Sequence, residues 1–193
     1  MRKSLVAGAG IAAIALASSA ADASVGAVPT CRGHQATIVV TSRSPHVVNG
    51  TRRADVIKIS SPEHVVNAGD GDDLICGSSG KDYINGGYGK DRIFSGKTHD
   101  VVHGNAGNDS LHGGDDNDYL HGDAGQDQID GDAGNDHLYG ENGGDALRGE
   151  GGRDQIYPGP GPDFVDGGDG SDTIHSDGND EIEFDGADQI VHG

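Results

Sequence analysis

A branched aliphatic residue stands at every ninth position over most of the chain: Ile75, Ile84, Ile93, Val102, Leu111, Leu120, Ile129, Leu138, Leu147, Ile156, Val165 and Ile174. The residues on either side are mostly polar, so each window offers one inward-facing position, as a short strand does. Between these windows lie stretches such as Gly104-Asn105-Ala106-Gly107-Asn108-Asp109. That is turn chemistry: glycine tolerates positive φ, and asparagine and aspartate tolerate it better than most residues. No apolar stripe runs at helical spacing, and glycine and aspartate are poor helix formers. A period this strict predicts one small unit stacked many times, each copy touching only its neighbours.

Two residues before each aliphatic stands an aspartate: Asp73, Asp82, Asp91, Asp100, Asp109, Asp118, Asp127, Asp136, Asp145, Asp154, Asp163 and Asp172. A turn alone would accept Asn or Ser equally well, so an unbroken column of carboxylates implies a repeated task. The core is thin. One buried aliphatic contributes roughly 1.5–3 kcal/mol, less than the ordering of nine residues costs. The acidic turns repel one another as the chain compacts. A cation would offset both deficits. The turns offer carboxylate and main-chain carbonyl oxygens with almost no thiolate or imidazole, a hard donor set suited to Ca2+ rather than to zinc or copper.

Gly86-Gly87-Tyr88-Gly89-Lys90-Asp91-Arg92-Ile93 and Gly167-Gly168-Asp169-Gly170-Ser171-Asp172-Thr173-Ile174 fill the pattern G-G-x-G-x-D-x-U-x, where U is a large aliphatic residue. The chain thus resembles the RTX, or hemolysin-type calcium-binding, nonapeptide-repeat proteins over about two thirds of its length. The resemblance implies an all-β parallel β-roll, a solenoid with two nonapeptides per coil. It also implies Ca2+ held between loops eighteen residues apart. One edge of the roll would use Asp73, Asp91, Asp109, Asp127, Asp145 and Asp163, and the other Asp82, Asp100, Asp118, Asp136, Asp154 and Asp172. Five gaps on each edge give a capacity of about 10 ions. Some units depart from the pattern. Thr98 and Asp116 replace a glycine, Ser95 and Pro158 replace the first glycine, and Asp123, Asp132, Glu141 and Glu150 fill the second glycine position.

The ends differ in character. Arg2 and Lys3 precede the apolar stretch Leu5 to Ala17, and Ala21-Asp22-Ala23 supplies a small-x-small cleavage motif. Residues 1–23 therefore read as a secretory signal peptide; thirteen apolar residues fall short of the ~20 that span a bilayer. Residues 24–49 contain the strand-like Ala36-Thr37-Ile38-Val39-Val40 and are expected to cap the roll, which would occupy residues 50–175. Asp55 with Ile57, His64 with Val66 and His46 with Val48 keep the spacing, and are expected to form coils that bind no ion. Residues 176–193 slip register and carry Ile182, Phe184, Ile190 and Val191, as a C-terminal cap would.

Cys31-Arg32-Gly33-His34 and Ile75-Cys76-Gly77 are also similar to segments of small secreted bacterial calcium-binding proteins with the same cysteine pair. Two cysteines in a secreted chain suggest one disulfide, Cys31–Cys76. They lie five repeats apart, on opposite faces of an ideal roll. Either residues 31–49 leave the roll and fold back, which is the favoured alternative, or the thiols stay free.

The net charge of −19 argues against nucleic acid and anionic membrane as direct partners. His103, His121, Tyr139, Tyr157 and His175 form a column on one face, joined by Tyr83, Tyr119 and His137. This strip is either a metal- or ligand-binding surface or an ordinary solvated sheet face. The repeat already accounts for the spacing of Ser, His and Asp, and no separate domain of enzymatic size remains, so no catalysis is expected. The sequence therefore points to a secreted, extracellular calcium-binding protein that folds on binding. The alternative is an adhesion or matrix protein that uses the stiffened roll as a spacer or binding face towards a cell-surface or matrix partner.

Overall fold

The computed structural model describes residues 29–183 and 185–192. The expected signal peptide and Phe184 lie outside the described residues. No helix occurs among those described, and none is long and apolar enough to cross a membrane. The chain winds into a parallel β-solenoid with two stacks of nine strands each. Successive strands of one stack are eighteen residues apart, as in Ile84↔Val102 and Val102↔Leu120 on one side and Ile93↔Leu111 and Leu111↔Ile129 on the other.

The register follows from the aliphatic period. An eighteen-residue step returns each aliphatic to the same inward position, and a one-residue slip would expose the whole set. All twelve aliphatics from Ile75 to Ile174 are 0–1 % exposed and form one continuous core between the two sheets. The N-terminal coils add Val40, Ile57, Ile59, Val66 and Ala68 to it. Ile59 and Ala68 occupy the place that glycine holds further along, so these coils bury more apolar surface than the repeats behind them.

The sheets run through both expected boundaries. Ile38–Val40 and Val47–Asn49 are the first strands of the two stacks, and Glu181–Glu183 and Gln189–His192 are the last. The segments expected to cap the roll form its outermost coils. Ile38 pairs with Ile57, nineteen residues on rather than eighteen, and Ile174 pairs with Ile190, sixteen on. These insertions and deletions fall in turns and leave the strands aligned.

Cys31 is bonded to Cys76. A short antiparallel hairpin, Thr30–Cys31 with His34–Gln35, stands outside the parallel stacks. Leaving the roll lets Cys31 reach Cys76 despite the odd number of half-coils between them. Arg32 lies over the ring of Phe94, 3.9 Å from its centre, which pins the hairpin to the same sheet.

Backbone strain collects where the repeat departs from glycine. Thr98 has φ 70°, a left-handed conformation that a β-branched residue rarely adopts. Its hydroxyl is also buried without a hydrogen-bond partner. Replacing Thr98 with glycine removes both penalties and should stabilise the roll by about 1–3 kcal/mol, read as a higher denaturation midpoint in calcium. A lower midpoint would show that Thr98 serves a purpose at that turn.

Candidate metal centre

Each loop places its aspartate at the turn between the two sheets, with the side chain directed inward. Asp73, Asp82, Asp91, Asp100, Asp109, Asp118, Asp127, Asp136, Asp145, Asp154, Asp163 and Asp172 are all 0–3 % exposed. A buried carboxylate is costly unless it is bonded. Here one oxygen is. The main-chain N–H of Asp55 donates to Asp73 Oδ1, that of Asp73 to Asp91 Oδ1, and so on to Asp163, at 2.7–2.8 Å. On the opposite edge the same bond runs from Asp82 to Asp100 and on to Asp172, again at 2.7–2.8 Å. Oδ1 therefore clamps adjacent coils together, a purely structural task invisible in the repeat pattern.

The other oxygen has no partner. Oδ2 is buried and unsatisfied in eleven of these twelve aspartates, and in Asp82 the orphan is Oδ1. Oδ2 points across the first glycine of its own loop towards the carbonyl of the next coil. A Cβ added to Gly122 would lie 2.6 Å from Asp127 Oδ2 and 3.0 Å from Gly140 O; one on Gly131 would lie 2.7 Å from Asp136 Oδ2 and 2.9 Å from Gly149 O. Glycine is thus needed to keep a slot open between a carboxylate and a carbonyl. In an N-terminal coil where His64 replaces the aspartate, Ile59 also replaces the glycine. There slot and carboxylate are lost together, whereas Ala68, Ser95 and Pro158 replace the glycine in loops that keep Asp73, Asp100 and Asp163.

Burial raises the pKa of the whole column, and for most members, though not for Asp82 or Asp145, neighbouring aspartates add to the effect. Asp118 is pushed up to about 8, mainly by desolvation and further by Asp100 and Asp136, partly offset by the bond from the Asp100 N–H. Asp91 and Asp127 rise to about 7 for the same reasons. The donor set of orphan carboxylate and carbonyl oxygens fits a hard divalent cation, which would reverse this penalty. Among the described residues no three His, Cys, Asp or Glu side chains converge on a common point. Each loop contributes one buried carboxylate, so main-chain oxygens would have to complete the inner part of any ion's shell.

Two loops also depart in how the carboxylate is bonded. Asp55 Oδ2 accepts from the Thr51 N–H at 2.8 Å and the Thr51 hydroxyl at 2.9 Å. Asp82 Oδ2 accepts from the Ser78 N–H at 2.8 Å. These loops also carry Arg52, Arg53 and Lys81. Both oxygens of Asp55 thus accept hydrogen bonds, one of them from the Thr37 hydroxyl, while Asp82 keeps Oδ1 as its orphan. Sequence reasoning missed Asp188, which extends its column by accepting from the Asp172 N–H at 3.1 Å. Its offset of sixteen residues hid it from the nine-residue frame.

The aromatic strip is a stacked ladder. His103 and His121 lie 4.4 Å apart between ring centres, as do His121 and Tyr139, and Tyr139, Tyr157 and His175 continue the column. Tyr119 stacks on His137 beside it, and Tyr83 is exposed at 40 % on the same face. Nδ1 of His103 lies 3.1 Å from Asp123 and Nδ1 of His121 lies 3.1 Å from Glu141. The rings stack in parallel, and His103 and His121 each lie beside a separate acid.

A solenoid of glycine slots and inward carboxylates at eighteen-residue intervals defines a β-roll of the calcium-loop class. The family model for the RTX calcium-binding nonapeptide repeat matches four times, at residues 67–102, 96–129, 126–156 and 157–188. The chain belongs to that family. No curated protein and no solved structure matches it significantly.

The raised pKa values carry a pH dependence with a definite sign. An acid whose folded pKa is above its unfolded value binds protons more tightly when folded. Its contribution is fully present below the unfolded pKa and is lost as pH rises through the folded one. For Asp73 and Asp109 that loss runs from the ordinary carboxylate value of 3.8 up to about 6, and for Asp118 up to about 8. In chelator, the roll should therefore gain β structure as pH falls from 8 to 5, protons standing in for the cation. Far-UV circular dichroism checks this; a chelated spectrum independent of pH over that window contradicts it.

Proposed function

We propose that this chain is a secreted calcium-binding protein, without catalytic activity, whose loops take Ca2+ between successive coils and which folds on binding. The observation that carries the reading is the orphan carboxylate oxygen repeated in all twelve loops, in eight of them beside an open glycine slot. The ligand column assigned to Ca2+ comprises Asp73, Asp91, Asp109, Asp127, Asp145 and Asp163 on one edge. Asp100, Asp118, Asp136, Asp154 and Asp172 form the other, with Asp82 a marginal member. Membership of a calcium-binding repeat family supports the choice of ion. The signal-like start of the sequence and the cysteine pair support secretion. The repeat positions of Ser, His and Asp support the absence of catalysis.

The nine coils also form a continuous rod. That favours, as a second reading, an extracellular spacer or matrix component stiffened by the same ions.

The test is a calcium titration of chelated protein at pH 8 followed by far-UV circular dichroism. Millimolar Ca2+ should produce β structure and Mg2+ should not, because Mg2+ demands a tight octahedral shell and keeps its waters. A full β spectrum in chelator at pH 8, unchanged by Ca2+, would sink the proposal.

A further inference from the structure

The two ends of the roll are open. The outer edges of Ile38–Val40 and Val47–Asn49 pair with no strand among the described residues, and neither do those of Glu181–Glu183 and Gln189–His192. The core columns run out through these ends. Inside the roll the column aliphatics are 0–1 % exposed, whereas Ile190, the last of its column, is 38 % exposed. Ile38, Val48 and Ile182, the other three column ends, are only partly buried. Unpaired edges backed by exposed aliphatics are templates for further pairing, and a stacked array needs its ends covered.

The charges at the two ends are opposite. Residues 37–58 carry Arg43, Arg52, Arg53 and Lys58 against the single acid Asp55. Residues 176–192 carry Asp177, Asp180, Glu181, Glu183, Asp185 and Asp188, with no Lys or Arg. The three arginines form no ion pair among the described residues.

We propose that the acidic C-terminal end of one roll docks on the basic N-terminal end of a second copy, continuing both sheets across the junction. Extending the column order sets the register. Val48 of the second copy follows Ile190, and its Ile38 follows Ile182. The turn Thr41–His46, which joins the first strands of the two stacks, then faces the turn that joins the last two. Arg43 comes opposite Asp185, both exposed in the single chain. The two surfaces differ, so the contact is heterologous and does not close on itself; each addition leaves the same end free.

Sedimentation of the calcium-loaded full chain over a concentration series tests this, with circular dichroism confirming the fold at each step. That control separates a failure to fold with calcium from a failure to dock. The weight-average mass should rise beyond twofold with no plateau at the dimer, and should fall back in high salt. Arg43→Glu alone puts acid against acid, and Asp185→Arg alone puts base against base, so each should stay monomeric. An equimolar mixture of the two variants restores both pairings and should assemble again. A wild-type chain that stays monomeric at every concentration would overturn the proposal, and would mean that residues outside those described cover the ends. So would a closed dimer indifferent to both substitutions.

Discussion

Chelating calcium at pH 8 should strip amide protection from residues 86–176 while residues 37–82 stay protected. Hydrogen exchange with mass spectrometry reads both segments at once. The two regions have the same topology but different sources of stability. From Gly86 onward each half-coil buries one aliphatic and one carboxylate with an orphan oxygen. Before it, Val40, Ile59 and Ala68 fill positions that later hold glycine. Asp55 and Asp82 are bonded within their own loops. Lys58 donates to Gly77 O at 2.7 Å and its charge acts on Asp82. The Cys31–Cys76 bond closes a 45-residue separation, and a cross-link over a loop of that order contributes roughly 2–4 kcal/mol.

The C-terminal region has only the ions to replace these terms. A site held at a hundred times its dissociation constant contributes about 2.7 kcal/mol, so several in series outweigh the thin core. Removing them should lower protection of the repeats by orders of magnitude. The surviving N-terminal coils would present a finished edge on which the repeats can regrow when calcium returns. Uniform loss of protection along the whole chain would mean that the first coils depend on ions as well.

Much of this architecture was legible in the sequence. The nine-residue aliphatic period fixed the buried positions, the parallel register and the division of the aspartates into two columns. A solenoid makes this possible because each contact is to a neighbour at constant offset. What the period could not show lies at its interruptions. The extra residue between Ile38 and Ile57 hid the exact alignment of the first coil. The shortened step to Ile190 disguised the last coil and Asp188 in the same way. The route from Cys31 to Cys76 depends on a hairpin outside the repeat, about which a repeat is silent. The two oxygens of one carboxylate are also indistinguishable in a sequence, although one clamps coils and the other is free for an ion.

That division of labour makes Asp118 the most informative residue to change. Its Oδ1 accepts the Asp100 N–H, and its own N–H donates to Asp136 Oδ1, both at 2.7 Å. It lies mid-array, where one loop would serve the ion on either side. Asp118→Ala leaves the buried Asp100 N–H without a partner, at a cost of about 1–3 kcal/mol, and would weaken two sites. Because stability in a stacked array is a sum of unit and nearest-neighbour terms, a break there could split the roll into two shorter cooperative blocks. Asp172 is followed only by Asp188, at the longer distance of 3.1 Å, and then by the end of the roll. Asp172→Ala should fray that end and little more. The calcium midpoint should therefore rise further, and the transition become shallower, for Asp118→Ala than for Asp172→Ala. Asp118→Asn separates the two tasks. The amide oxygen can still accept the Asp100 N–H, and burial, which raises the Asp118 pKa to about 8, no longer penalises a charge. This variant should match or exceed wild type in chelator at pH 8 and still need more calcium to complete folding. Equal midpoints for Asp118→Ala and Asp172→Ala would mean that the loops load independently. A wild-type midpoint in Asp118→Asn would mean that its carboxylate binds no ion.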